Sequence, residues 1–214
     1  MQRRLCLLAI VWLAASPILA QPAPPPSGAQ PAAPIPAPRP ATVRVTLQTA
    51  AGPILLELES ERAPKTTANF LRYVDQKRLD GTAFYRAVKV QPGYGLVQGG
   101  VRYDPARVLP SIAHEPTSIT GLSHVDGTVS MARAAPGTAN GDFFICVGAM
   151  PSMDARPGQA GDNQGFAAFG RVVEGMEVVR RMLDAPTSPT EGQGVMKGQM
   201  LSPPIKILAA RRTK

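Results

Sequence analysis

The sequence predicts a mainly β domain, closed on itself, with two helices plugging its ends. Three observations carry this. Short stretches of period-two alternation recur along the chain, each bounded by glycine, proline or polar turn residues. Only two stretches show helical spacing, beginning near Pro64 and near Met176. Aromatic residues make up 5% of the chain, while 20 glycines and 23 prolines point to a loop-rich β fold. This pattern alone leaves the strand count open.

The fold begins after a leader. Arg3 and Arg4 precede an apolar run from Leu5 to Ala15, Ser16-Pro17 breaks it, and small residues lead to Ala20. That is the layout of a secretory signal peptide, so residues 1–20 are expected to be one, cleaved after Ala20. An uncleaved signal anchor is the alternative, although the run is short against the ~20 apolar residues of a membrane span. Residues 21–40 are mostly Pro and Ala. They cannot bury enough surface to offset their conformational entropy and read as a disordered, extended linker. It could hold the domain off a membrane or cell wall, or have no role. Residues 41–214 remain as one domain with its own core.

Within that domain Val43, Val45 and Leu47 alternate with polar residues, the chain turns at Ala50 to Pro53, and Ile54, Leu56 and Leu58 alternate again. This predicts a hairpin. Pro64 suits the first turn of a helix whose apolar face is Phe70, Leu71 and Val74. Residues 82–88, 128–132, 143–147 and 167–173 read as strands. Met176, Val179, Met182 and Leu183 lie at helical spacing, and 204–209 read as a closing strand.

Composition also restricts function. The formal net charge is +8, with Arg3 and Arg4 in the leader. The basic residues are scattered rather than arranged in the basic-aromatic stripe of a nucleic-acid binder. Once the leader is removed Cys146 is the single cysteine, so no intramolecular disulfide can form, and within an apolar strand it reads as a small buried hydrophobe. The two histidines, His114 and His124, form no metal-ligand pattern, and no carboxylate pair stands out.

Five short segments in fixed order carry the functional signal: Phe84-Tyr85-Arg86, Gln98-Gly99-Gly100, Gly127 to Arg133, Phe143-Phe144-Ile145 and Phe169-Gly170. Together they resemble the cyclophilin family of peptidyl-prolyl cis-trans isomerases, from about Thr42 to about Ala210. The resemblance implies an eight-stranded antiparallel β-barrel capped by two helices. It also implies catalysis of rotation about X-Pro bonds without cofactor or metal, and a monomer. Arg86 matches the catalytic arginine and Gln98 the glutamine that hydrogen-bonds the substrate backbone. Phe84 and Tyr85, which precede the arginine, would be among the substrate-binding residues. Leu96, Met131, Ala132, Phe144, Met153 and Phe166 would line the proline pocket. Ala132 and Arg133 would offer backbone groups to an extended peptide.

The chemistry suits these residue types. Amide resonance gives the X-Pro bond a barrier of ~18–20 kcal/mol. In the twisted state resonance is lost and the proline nitrogen becomes a hydrogen-bond acceptor. A fixed cationic donor there stabilises the twisted state more than the planar one, and arginine stays charged throughout.

The sequence departs from the family pattern in places. The stretch between Arg86 and Gln98 is longer than usual, and Gly95 stands where an aromatic wall is expected, with Tyr94 beside it. Asp142 replaces a glutamine. Ser152 replaces a Trp or Phe known from the contact with cyclosporin, so weak cyclosporin binding is expected. The sequence is read as that of a secreted, periplasmic prolyl isomerase acting on folding or envelope proteins. The alternative is a catalytically weak module of the same fold that binds Pro-containing segments as a chaperone or assembly factor.

Overall fold

A computed structural model describes residues 40–102 and 104–213. The expected signal peptide (1–20) and the linker up to residue 39 lie outside the described residues.

Strands β1 (Val43–Thr49) and β2 (Gly52–Leu58) form the predicted hairpin. Its turn is tied by Thr49, whose hydroxyl donates to Gly52 O and accepts from Ala51 N–H. Helix α1 (Pro64–Asp75) follows. Strands β3 (Ala83–Gln91) and β4 (Tyr94–Gly100) make a second hairpin, and the one-turn helix α2 (Thr117–Thr120) precedes β5 (Thr128–Met131) and β6 (Phe143–Val147). The chain then forms β7 (Ala167–Glu174), helix α3 (Met176–Asp184), the two-residue β8 (Thr187–Ser188) and the long β9 (Met200–Thr213).

The strands run β1-β2-β7-β5-β6-β4-β3-β9, and β9 pairs back onto β1. All pairings are antiparallel, so eight strands close into a barrel, and β8 is appended to the start of β9. The interior is packed with side chains. Val45, Leu47, Ile54, Leu56, Val129, Ile145 and Phe169 are fully buried there. An aromatic cluster forms its centre. Phe143 meets Phe70 of α1 edge-on at 5.2 Å and Phe84 of β3 at 5.5 Å, and Phe70 also meets Phe169 at 5.2 Å. Val178, Val179, Met182 and Leu183 of α3 join the same core. The two predicted helices thus turn their apolar faces into the barrel.

The strand β4 and the short elements β8 and α2 were not expected from periodicity. β9 is longer than its predicted span, and β3 continues beyond Val88.

Candidate active site

Period-two geometry sends alternate residues of each strand to opposite faces of the barrel wall. Phe84 and Ala87 of β3, Val97 of β4 and Phe143, Ile145 and Val147 of β6 enter the interior core. Their neighbours Leu96, Phe144 and Cys146 form a second apolar cluster with Met150, against which Val88, Tyr94, Ala132, Met153 and Phe166 pack. A cavity of about 740 Å³ lies over this outer cluster.

A β-bulge brings the polar side of the cavity together. In the β3–β4 pairing Phe84 faces Gly99 and Arg86 faces Gln98, so the register shifts between Phe84 and Arg86. The extra residue is Tyr85. Two consecutive residues, Tyr85 and Arg86, therefore line the cavity, while Phe84 and Ala87 on either side point into the core. Arg86 Nη1 donates to Gln98 Oε1 at 2.9 Å. Its Nε and Nη2 both donate to Gln199 Oε1, at 2.9 and 2.7 Å. Gln98 Nε2 donates to the Tyr85 hydroxyl at 2.8 Å. Burial pulls the Arg86 guanidinium below its ordinary value, opposed by Tyr85. An arginine stays a cation and a pure donor despite such a shift.

The apolar wall is braced from behind. Phe166 meets Phe144 edge-on at 5.4 Å and lies under the Arg133 guanidinium at 5.0 Å. Arg133 is anchored by Asp162 and by Gly165 O. On its other side Phe144 stacks on His124, with centroids 6.0 Å apart and rings 15° from parallel. The imidazole is held at both nitrogens, Nδ1 to Asp154 Oδ1 at 2.6 Å and Nε2 to Ser130 Oγ at 2.9 Å. Burial lowers the His124 value more than Asp154 raises it, so a neutral ring donates from Nδ1 to Asp154. Cys146, in the same cluster, has its thiol pushed up to about 12 by burial and is inert at neutral pH.

Of the residues singled out in the sequence, Tyr85, Arg86, Leu96, Gln98, Ala132, Arg133, Phe144, Met153 and Phe166 line the one cavity. Phe84 and Met131 do not. Both are buried in the barrel interior, Phe84 against Phe143 and Met131 in phase with Val129. A strand must alternate, and Met131 stands two residues from a core valine. Ala132 also differs from expectation, because its N–H already donates to Asp142 O at 2.9 Å. Sequence reasoning missed the third side of the cavity, made by Gly192, Gln193, Met196 and Met200, and it missed Gln199. These residues lie in and beside a glycine-containing segment without periodicity, so no local signal marks them.

Residues 43–211 match the family model of the cyclophilin type peptidyl-prolyl cis-trans isomerases. A peptidyl-prolyl cis-trans isomerase of Acinetobacter baylyi is 31% identical over 172 residues, covering 80% of this chain and 86% of the relative. Peptidyl-prolyl cis-trans isomerase A of Dickeya dadantii is 33% identical, covering 81% and 86%. The crystal structure of a cyclophilin type isomerase of Cryptosporidium parvum superposes with a TM-score of 0.63 at 22% identity. It covers 81% of this chain and 99% of that one. A second structure of that protein was determined in the presence of the dipeptide Ala-Pro.

The chain belongs to the cyclophilin family.

It is an enzyme of the peptidyl-prolyl isomerase class. Within this cyclophilin the residues that lengthen the stretch before Gln98 extend the β3–β4 hairpin, which turns at Pro92-Gly93, with Gly93 at φ +69°. Gly95 lies inside β4, where a Cβ would stand 2.0 Å from Val88 O and 3.0 Å from Leu183. No side chain fits there. Tyr94 packs at the rim of the outer cluster instead, and its hydroxyl donates to Ala149 O at 2.9 Å. Ser152 is exposed. Among the described residues, no helix is long and apolar enough to cross a membrane.

Proposed function

We propose that this cyclophilin accelerates X-Pro rotation with Arg86 as the donor to the twisted amide. The observation that carries the reading is the placement of a half-buried guanidinium, held by two glutamines, at the edge of an apolar cavity. The proline ring would sit against Leu96, Phe144, Met153 and Phe166. As the carbonyl side turns, the nitrogen lone pair develops toward Arg86. The guanidinium is held by Gln98 and Gln199, so little reorganisation is needed when the acceptor appears. Gln98 keeps one amide hydrogen beyond its bond to Tyr85 and can offer it to the substrate backbone. A mostly apolar cavity with polar groups on one side suits a Pro-containing peptide, and the Cryptosporidium parvum relative was studied in the presence of the dipeptide Ala-Pro.

The wider setting belongs to the same proposal. Residues 1–20 serve as a signal peptide that sends the enzyme to the periplasm, and 21–40 serve as a spacer. There the enzyme acts on envelope or folding proteins, as a monomer by its family resemblance. With serine at 152, cyclosporin binds weakly.

The test is cis-to-trans exchange of an Ala-Ala-Pro-Phe peptide followed by NMR, with the chain and its Arg86→Ala variant. Acceleration that collapses in the variant is expected. Normal turnover in the variant overturns the role of Arg86. Peptide binding with no acceleration in either protein selects the alternative, a recognition module that grips Pro-containing segments.

A further inference from the structure

The cavity continues past Arg86. Across the barrel wall Phe144 of β6 faces Gln98 of β4, Gln98 faces Arg86 of β3, and Arg86 faces Met200 of β9. Residues that face each other on antiparallel strands share one side of the sheet, and all four line the cavity. Neighbouring strands lie ~4.8 Å apart, so Met200 stands roughly 14 Å along this row from Phe144. Arg86 and Gln98 thus form a polar strip with an apolar wall at either end. A proline ring on Phe144 uses only one of those walls.

The Met200 end has a fixed shape. The chain before it, from Glu191 to Gln199, folds into a tight loop closed by the Gly198 N–H, which donates to Glu191 O at 3.0 Å, and it contains a single helical turn at Gly194–Met196. Gly192, at φ +95°, lies so close to Met196 O that no Cβ fits. Gln199 clips the loop to β3 twice. Its carbonyl oxygen accepts the Ala87 N–H at 2.9 Å, and its Oε1 accepts Arg86 Nε and Nη2. The loop therefore stands in place beside the guanidinium before any peptide arrives, which lowers the cost of ordering on binding. It brings Gly192, Gln193 and Met196 to the cavity beside Met200. Among the described residues, Arg86 is the one charged side chain lining this end. Met196 keeps 36% of its surface exposed, and its flexible thioether can fit itself to an apolar ligand.

The shape of an X-Pro peptide decides what reaches this end. The chain leaves a proline ring from two adjacent atoms, the nitrogen and Cα. With the ring on Phe144 and the nitrogen at Arg86, both flanking residues start at the polar strip. The one directed away from Phe144 crosses the strip toward Met200. A cavity of about 740 Å³ has room for it as well as for the ring. We propose, resting on the reading of Arg86 as the donor to the twisted amide, that Met196 and Met200 form a second subsite of the isomerase, which takes a large apolar side chain from a residue flanking the proline. Met196 is the specificity-determining residue. Alanine leaves the subsite unfilled, leucine buries its side chain there, and lysine would lose water without gaining a partner.

The test measures isomerisation of two tetrapeptide series by the full chain, one varied at the residue before the proline and one at the residue after it. Each series places alanine, leucine or lysine at that position in an otherwise all-alanine peptide. In at least one series leucine should exceed alanine roughly 10-fold in kcat/KM, with lysine no better than alanine, and Met196→Ala should cut the leucine advantage to roughly 2-fold. In Met196→Glu lysine should overtake leucine. Each readout is a ratio between two peptides on one sample, so a loss of folded protein leaves it unmoved. Equal rates for leucine and alanine in both series overturn the subsite. So does a leucine advantage that persists undiminished in Met196→Ala and Met196→Glu. Arg86→Ala, assayed on the all-alanine peptide, separates the two readings. Normal turnover there removes Arg86 as the donor. Lost turnover there, together with a leucine advantage that ignores Met196, removes the subsite alone.

Discussion

The imidazole of His124 lies flat behind the ring of Phe144, 6.0 Å from it, and is the brace of the cavity's apolar wall. Ser130 and Asp154 hold it from either end. The arrangement has the connectivity of a Ser-His-Asp triad, but Ser130 is fully buried and does not line the cavity beside Arg86. Its work is to fix a ring against a ring.

His124 makes stability depend on mild acid. Its folded value lies below the ordinary 6.5 because burial outweighs Asp154. Above 6.5 the imidazole is neutral in both folded and unfolded chains, and its contribution is fully present. As the pH falls below 6.5 the unfolded chain takes up the proton first, so stability is lost through the window down to the folded value. The urea midpoint should fall between pH 7 and pH 5.5 in the parent and less in His124→Gln. Parallel profiles in the two proteins would contradict this.

Arg86→Ala should lower kcat/KM roughly 10²–10³-fold, the usual cost of removing a preorganised donor to a developing charge. Arg86→Lys should recover little, since an ammonium cannot hold both Gln98 and Gln199 as the planar fork does. Stability should change little by comparison. Stopped-flow or NMR exchange, with urea unfolding of the same samples, checks both statements.

Glu115 should matter to the fold and not to the chemistry. Its carboxylate accepts the Thr66 N–H and the Thr66 hydroxyl, both at 2.7 Å, and the Lys65 N–H at 3.1 Å. Ala63 at the start of α1 supplies no side-chain cap, so a residue from a distant loop closes the helix instead. Glu115→Ala should cost about 1–3 kcal/mol, since it leaves buried donors unpaired. Denaturant unfolding measures it, and turnover per folded molecule should be unchanged.

Gly95→Ala tests the close approach within the β3–β4 hairpin. The added Cβ would stand 2.0 Å from the Val88 carbonyl oxygen, which belongs to the backbone and cannot rotate aside. A loss of about 1–3 kcal/mol is expected for forced overpacking. An unchanged midpoint would mean that the two strands separate easily there. Cys146, by contrast, should resist thiol reagents at pH 8 until the chain unfolds, because its thiol is pushed up to about 12.

Where polar and apolar residues alternate cleanly, the elements were legible. Val45, Leu47, Ile54 and Leu56 announce a hairpin because burial of one face imposes period two. The faces of α1 and α3 announce helices because burial of one stripe imposes a period near four. β4 was not legible. It reads Tyr-Gly-Leu-Val-Gln-Gly-Gly, and its glycines stand where neighbouring backbone leaves no room for a Cβ. Close approach, a property of two strands together, erased the alternation that periodicity needs. Met131 was ambiguous for a related reason, since the phase of β5 is decided by which face meets the core.

The sequence by itself determined the closed β class, the two helices that fill the barrel, and the order of motifs that marks the family. It also named Arg86, Gln98 and most of the apolar wall, since these travel within short recognisable strings. Only the tertiary structure decided which neighbours share the site. The bulge places Tyr85 beside Arg86, and the segment before β9 supplies Gln199, 113 residues from Arg86. Hydrogen bonds between distant residues depend on distances of about 3 Å, and local spacing carries no record of such distances until the barrel closes.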